Sequence, residues 1–178
     1  MCGIAGMVRL DGAALSPGVT RALKTMTDSM AARGPDGEGF WREGPAALGH
    51  RRLSIIDLAG GHQPMLSADG RFCVVHNGEI YNFRELRRVL AARGARFRTD
   101  SDTEVVLAAY AEWGEDCLSR LEGMFAFAVW DGPRRRLFCA RDRFGKKPFF
   151  YTLQLVGVCF ASELTASYLL GRPEPAPA

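Results

Sequence analysis

Residues 123–142, GMFAFAVWDGPRRRLFCARD, predict an antiparallel β-hairpin and with it the class of the fold. The apolar and aromatic run at 124–131 is typical of a buried strand. It ends at Asp131-Gly132, a dipeptide that favours the tight turn between two paired strands. A second strand-like run follows at 136–142, so the chain is expected to reverse here and to pair with itself.

Further strand-like segments lie on both sides of this hairpin. They are short and rich in apolar residues, and we place them at residues 2–10, 46–53, 71–76, 149–153 and 156–161. Asn77-Gly78, directly after the third of them, is a turn signal. The strands therefore occur in clusters that suit antiparallel pairing.

Helices are predicted between these clusters. Ser16 is a good cap with Pro17 in the first turn, and Gly34-Pro35 ends that helix. Two more helices are expected at 83–93 and at about 103–113, the second opened by a capping box of Ser101 and Glu104. The last is expected at 162–170. Because regular alternation of strand and helix is absent, the pattern favours a layered α+β fold over a doubly wound one.

Composition indicates an ordinary soluble domain. Of 178 residues, 47% are hydrophobic and 24% are charged, and the net charge is only +3. No apolar run approaches the roughly 20 residues that span a bilayer, and no signal peptide is recognisable, so we expect a cytoplasmic protein without a membrane partner. The short arginine runs are separated by acidic residues, which disfavours nucleic acid as a partner.

Metal and phosphate sites are not expected from the sequence. The five cysteines lack a CxxC pair, and His50, His62 and His76 lack the spacing of metal ligands. Gly145-Lys146 does not fit a phosphate-binding loop, because Ala140 and Lys147 stand where that loop has glycine and Ser or Thr.

Cys2 is the residue with the most distinctive chemistry. Removal of Met1 would place a thiol and a free α-amine on one residue. The ordinary pKa of such an amine is about 7.7 to 8.0, so near neutral pH a useful fraction can accept a proton. Nucleophile and base would then share one terminal residue. Taken alone, Cys2 fits a small buried residue at the start of a strand equally well or better.

Seven short motifs follow Cys2 in a fixed order. They are Arg33-Gly-Pro-Asp-Gly-Glu-Gly39, Gly49-His-Arg-Arg-Leu-Ser-Ile-Ile-Asp57, Gln63-Pro-Met65, Asn77-Gly-Glu-Ile-Tyr-Asn82, Ser101-Asp-Thr-Glu104, Gly123-Met-Phe-Ala-Phe127 and Ala140-Arg-Asp-Arg-Phe-Gly145. The series resembles the glutaminase domain of glutamine-hydrolysing asparagine synthetases, a class II glutamine amidotransferase of the N-terminal-nucleophile hydrolase group. The resemblance covers about residues 2–165 and implies a four-layer αββα sandwich of two antiparallel sheets.

The resemblance also implies roles for matching residues. Cys2 would attack the side-chain amide of L-glutamine and form a thioester that water then hydrolyses. Asn77 and Gly78 would donate hydrogen bonds to the oxyanion, although without Cys2 a plain turn would be the preferred interpretation. An amide NH2 and a neighbouring backbone N–H can point two donors at one oxygen.

Substrate-binding roles follow from the same resemblance. Arg52 would hold the α-carboxylate, whereas strand alternation sends Arg51 to the opposite face. Glu79 and Asp102 match acids near the α-ammonium, and Asp102 could instead simply favour the helix dipole. The backbone of four consecutive residues would line the glutamine site, namely Leu53, Ser54, Ile55 and Ile56. Arg33 and Gly34 resemble a loop that lies beside the nucleophile.

The family also implies a partner. We expect residues 2–165 to form the amidotransferase domain and residues 166–178 to form a helix end and a proline-rich tail or linker. In the family a synthetase domain follows, which uses ATP and magnesium to activate aspartate and receives the ammonia. Its pyrophosphate-binding loop is not found in these residues, so no cofactor is expected for this domain. Two alternatives stay open: delivery of ammonia to another acceptor, and a non-catalytic glutamine-binding module. Homodimer formation is also left open.

Overall fold

Two antiparallel sheets dominate the computed structural model, which describes residues 1–55, 57, 60–155 and 157–168. The first sheet contains β1 (Gly3–Arg9), β2 (Gly37–Glu43), β3 (Ala46–Arg52), β8 (Phe150–Gln154) and β9 (Gly157–Ala161). The second contains β4 (Met65–Leu66), β5 (Phe72–Ile80), β6 (Gly123–Asp131) and β7 (Arg136–Arg141). The strand orders are β2-β3-β1-β9-β8 and β4-β5-β6-β7.

Helices cover the outer faces of both sheets. They are α1 (Val19–Ser29), α2 (Phe83–Ala92), α3 (Asp102–Trp113) and the short α4 (Leu164–Tyr168), and a 3-10 helix, Gly114–Ser119, extends α3. Leu23 and Met26 of α1 pack with Ala5 and Ala47 of the first sheet. On the other side, α2 and α3 pack against the second sheet.

A third apolar cluster lies between the two sheets. Ile4 and Leu48 of the first sheet meet Val75 and Ala128 of the second there. These residues alternate along their strands with those that face the helices, as the two-residue period of a strand requires. Three clusters thus separate four layers, and the predicted αββα arrangement is confirmed.

The hairpin at 123–142 is present. Asp131 pairs with Arg136, so residues 132–135 form the loop, with Gly132 as its first residue. Arg135 has a φ of 51° and supplies the left-handed conformation that closes the loop. The predicted hairpin and the ends of its two strands at Asp131 and Arg136 are therefore confirmed.

The prediction of a turn at Asn77-Gly78 was wrong. Both residues lie within β5, where Asn77 pairs with Ala126 and Gly78 with Phe125. A partner strand along the whole length outweighs the local turn preference of the dipeptide. Gly78 serves a different purpose, because an added Cβ would lie 2.3 Å from the carbonyl oxygen of Met124.

Other boundaries also differ from the expectation. Helix α1 begins at Val19, and its start is held by a backbone bond from Val19 N–H to the Ser16 carbonyl rather than by a Ser16 side-chain cap. The strands β2 and β4 were not predicted, since β2 is rich in glycine and charge and β4 has only two residues. Residues 169 and 170 of the last predicted helix lie outside the described residues.

None of the helices in the described residues is long and apolar enough to cross a membrane. Within the same residues, no three His, Cys, Asp or Glu side chains lie close enough together to hold a metal ion.

Candidate active site

Cys2 lies directly before β1, in the wall of a cavity of about 260 Å³ lined by residues of both sheets. The Leu53 N–H donates to Sγ at 3.4 Å, and the thiol lies 3.6 Å from the Leu53 carbonyl oxygen. Leu53 directly follows β3, which pairs with β1. The two strands therefore fix the position of the sulfur atom at the cavity.

The backbone around Cys2 is held by Arg33. Arg33 Nε donates to the Cys2 carbonyl at 3.1 Å, and the Met1 amine donates to the Arg33 carbonyl at 3.1 Å. Gly34 lets this loop approach β3, because an added Cβ would be 2.4 Å from the carbonyl carbon of Arg51. Arg33 and Gly34 thus lie beside Cys2, as expected.

Opposing effects act on the thiol of Cys2. Burial raises its pKa, and this effect outweighs the lowering by the Leu53 N–H, the terminal ammonium and Arg52. Asp102 raises the pKa further. The thiol therefore stays protonated in the resting site, so a nucleophilic attack needs a base to remove the proton.

Asn77 is buried on the wall of the same cavity. Only 1% of the residue is exposed, and its side-chain Nδ2 has no hydrogen-bond partner among the described residues. An amide nitrogen buried without an acceptor is costly. An oxygen atom of a bound ligand could accept the hydrogen bond that Asn77 Nδ2 does not make within the described residues.

A second donor lies next to Asn77. The Phe125 N–H donates to Asp142 Oδ2 at 3.2 Å, and the Phe125 carbonyl accepts from the Asp142 N–H at 2.8 Å. Both backbone groups therefore point away from Gly78, which faces Phe125 in the β5–β6 pair. In an antiparallel pair, two directly opposite residues either both bond to each other or both point their backbone groups away from each other. The Gly78 N–H therefore points away from β6, on the side where Gly78 lines the cavity.

The neighbouring N–H groups on that edge of β5 are already used. His76 N–H donates to Gln63 Oε1 at 2.6 Å, and Ile80 N–H donates to Asp102 Oδ2 at 3.0 Å. Gly78 lies between them, two residues from each. The structure thus places the Gly78 N–H and the Asn77 amide together at the cavity that holds Cys2.

Arg51 and Arg52 leave β3 on opposite faces, as alternation predicts. Arg51 bonds to the Thr27 carbonyl at 3.2 Å and pairs with Asp28, both on α1. Arg52 is buried in the cavity wall, where Nη2 donates to the Asp57 carbonyl at 2.5 Å. Only Arg52 is placed to meet a ligand in the cavity.

Two acids also line the cavity. Glu79 and Asp102 both border the cavity. Asp102 also lies in the first turn of α3, so its carboxylate has a structural task beside any ligand. Ser101 caps the helix by accepting the Thr103 N–H at 3.2 Å. The predicted capping box is only half formed, because Glu104 accepts the N–H groups of Arg98 and Thr99 instead.

The predicted backbone run beyond β3 is placed only in part. Leu53 and Ile55 line the cavity. Ser54 is not among its lining residues, and its N–H donates to Asp36 Oδ2 at 2.8 Å. Ile56 lies outside the described residues.

Several lining residues had no predicted role. Gln63 ties His76 to Thr103 through its side-chain amide, whose Nε2 donates to the His76 carbonyl and to Thr103 Oγ1 at 3.1 and 3.2 Å. Met124 and Lys147 border the cavity from β6 and the loop after β7. Gln63 and Met124 belong to motifs that the sequence singled out, but nothing in their spacing indicates that the fold brings them beside Cys2.

Comparison with known proteins decides the family. A family model for the glutamine amidotransferase domain matches residues 1–175. This chain belongs to the glutamine amidotransferase family. The amidotransferase domain is 45% identical over 176 residues to asparagine synthetase [glutamine-hydrolyzing] 3 of Bacillus subtilis, covering 98% of this chain and 28% of that protein. It is also 44% identical over 163 residues to asparagine synthetase [glutamine-hydrolyzing] 1 of the same organism, covering 92% and 26%.

A solved structure has the same fold. The glutamine phosphoribosylpyrophosphate amidotransferase from B. subtilis, complexed with ADP and GMP, superposes with a TM-score of 0.76 at 23% identity and covers 96% of this chain and 44% of that one. The predicted family resemblance is thereby confirmed. The amidotransferase domain spans less than a third of the length of the two asparagine synthetases.

Proposed function

We propose that this domain hydrolyses the side-chain amide of L-glutamine to glutamate and ammonia, with Cys2 as the nucleophile. The observation that carries the proposal is the position of Sγ at a cavity that also presents two donors, the Gly78 N–H and Asn77 Nδ2, the latter without a partner among the described residues. Donors arranged in this way stabilise the oxyanion of a tetrahedral intermediate.

The base is the α-amine of Cys2 after removal of Met1. Burial raises the pKa of the thiol, so its proton must move to a neighbouring group as Sγ attacks the amide carbon. The amine then returns the proton to the departing nitrogen, which leaves as ammonia. Water attacks the resulting thioester and releases glutamate.

The remaining charges fit the two ends of an amino acid. Arg52 provides a guanidinium for the α-carboxylate, and Glu79 and Asp102 provide acids for the α-ammonium. The main chain at Leu53 and Ile55 borders the space between these groups and Cys2. The same lining would hold the glutamate product until it is released.

The ammonia is consumed by a synthetase partner that makes asparagine from aspartate. The support is the similarity to two asparagine synthetases that are more than three times as long as the matched segment. Residues for ATP and magnesium would belong to that partner. This domain contributes the glutaminase half of the reaction and the release of ammonia into the partner.

Product analysis tests whether this domain hydrolyses glutamine and leaves asparagine synthesis to its partner. The purified chain beginning at Cys2 is incubated with glutamine, aspartate, ATP and magnesium, and glutamate, asparagine and AMP are measured. We expect glutamate alone, its loss in Cys2→Ala, and its retention in Cys139→Ala, which removes an exposed thiol elsewhere. Stoichiometric asparagine or AMP would contradict the division. No glutamate from the processed chain would contradict the hydrolase function.

A further inference from the structure

The sandwich is open at the edge formed by β7 and β8. Tyr151 and Leu153 of β8 pair with Phe160 and Val158, which belong to the apolar layer between the sheets. Both side chains therefore point toward the inside of the sandwich. They are nevertheless 67% and 70% exposed, values typical of an outer surface. The inner face of the first sheet is thus left uncovered at its last strand.

The second sheet shows the same opening. Cys139 of β7 pairs with Ala128, another residue of the layer between the sheets, and it too is exposed. Together the two edges border a groove of about 880 Å³ lined largely by apolar side chains, among them Leu10, which is also 67% exposed. Neighbouring exposed apolar side chains rimmed by polar residues commonly mark a binding site for another protein.

The charge of the groove points to the kind of partner. Four arginines line it. Arg9 pairs with Asp11, the single acid of the lining within the described residues, and Arg136 pairs with Glu115. Arg135 bonds to the Gly12 carbonyl, and Arg141 bonds to the carbonyls of Lys147 and Gly145. A partner with acidic residues around an apolar centre would complement this surface.

A hydrogen bond links a residue of the groove to a residue of the Cys2 cavity. The bond from Arg141 Nε to the Lys147 carbonyl is 2.5 Å long, and Lys147 itself borders that cavity. No residue lines both the groove and the cavity in the described part of the chain. A protein seated in the groove would therefore contact the loop beside the site without blocking glutamine.

We propose that this groove is the docking face for an acid-rimmed apolar segment of the synthetase-type partner. The inference rests on the proposed function, because it takes that partner as the occupant. The relatives that contain this domain have more than two thirds of their length outside it, and the open edge of the sandwich is where such a length of protein can complete the apolar core.

The proposal is tested in a chimera in which this chain replaces the matched segment of B. subtilis asparagine synthetase 3. Hydroxyl-radical footprinting with mass spectrometry measures oxidation of Tyr151 and Leu153, and Val89, an exposed residue of α2, is the control. We expect oxidation of the two groove residues to fall about fivefold or more relative to the isolated chain, because burial in an interface excludes water. Val89 should not change.

Matched variants make the test independent of folding. Leu153→Asp should restore oxidation of Tyr151 and lower the yield of asparagine per glutamate, whereas Val89→Asp should do neither. Unchanged oxidation in a chimera that still makes asparagine from added ammonia would overturn the proposal. So would sedimentation of the isolated chain as a dimer that Leu153→Asp dissociates, because a second copy would then fill the groove. Loss of glutamine hydrolysis alone would contradict the proposed role of Cys2. It would not contradict docking, because footprinting measures the interface independently of glutamine hydrolysis.

Discussion

The Ile80 N–H donates to Asp102 Oδ2 at 3.0 Å, and this bond joins the end of β5 to the first turn of α3. It places a carboxylate at the rim of the Cys2 cavity and uses one of its two oxygens. Asp102 therefore combines a structural bond with a charge that a ligand ammonium can meet.

Asparagine at position 102 should separate these two roles. Asp102→Asn keeps an oxygen for the Ile80 N–H and removes the charge, so the KM for glutamine should rise while the melting temperature stays close to that of the parent chain. Asp102→Ala also leaves a buried N–H unpaired and should cost about 1 to 3 kcal/mol of unfolding free energy. Steady-state kinetics and calorimetry measure the two effects. An unchanged KM in Asp102→Asn would limit Asp102 to its structural bond.

Asn77 should affect catalysis more than binding. Removal of an oxyanion donor typically lowers kcat by about 10² to 10³, and we expect this from Asn77→Ala with little change in KM. Asn82→Ala is the matched control, because the Asn82 amide bonds to the Arg120 carbonyl in the turn after β5. Equal kcat in the parent and in Asn77→Ala would show that the buried amide has no part in the reaction.

The two neighbouring arginines should differ in their effect on KM. Lysine keeps the charge and loses the two-pronged geometry that fits a carboxylate. Arg52→Lys should therefore raise the KM for glutamine, whereas Arg51→Lys, on the α1 face, should leave it nearly unchanged. The reverse pattern in initial-rate measurements would show that the carboxylate binds elsewhere.

Stability should fall at acid pH through buried histidines. Burial lowers the pKa of His50 to about 3 and also lowers that of His76. Between about pH 6.5, the ordinary histidine value, and pH 3, the unfolded chain binds protons that the folded chain does not, so the free energy of unfolding decreases as the pH falls.

His50→Asn should reduce that pH slope. The exposed His62 provides the control, since His62→Gln should leave the slope as it is. Urea titrations between pH 7 and pH 4 measure the free energy of unfolding. An identical slope in His50→Asn would assign the acid sensitivity to other groups.

The four layers of the fold were implied by the family resemblance, whereas the strand pattern predicted the α+β class and the pairing of neighbouring strands. The hairpin of β6 and β7 and the opposite faces of Arg51 and Arg52 follow from the two-residue period of a strand. Asn77-Gly78 was misassigned because a local turn preference carries no information about the nine-residue pairing of β5 with β6.

The residues of the site were predicted from the sequence less completely than the elements of the fold. The motifs pointed to Cys2, Asn77 and Arg52, which the structure gathers at one cavity. His76, Met124 and Lys147 were missed, since their approach depends on how two sheets stack. The exposure of Tyr151 and Leu153 was equally invisible, because an inward-facing strand position normally predicts burial.

The central claim is that Cys2 acts from the terminus of the chain. Any residue left on its amine converts the base into an amide, which cannot accept the thiol proton. The deciding measurement is the rate of glutamate formation from glutamine by two homogeneous samples, one beginning at Met1 and one at Cys2, each verified by intact mass. We predict turnover only in the sample that begins at Cys2. Equal turnover in the sample that retains Met1 would contradict the account.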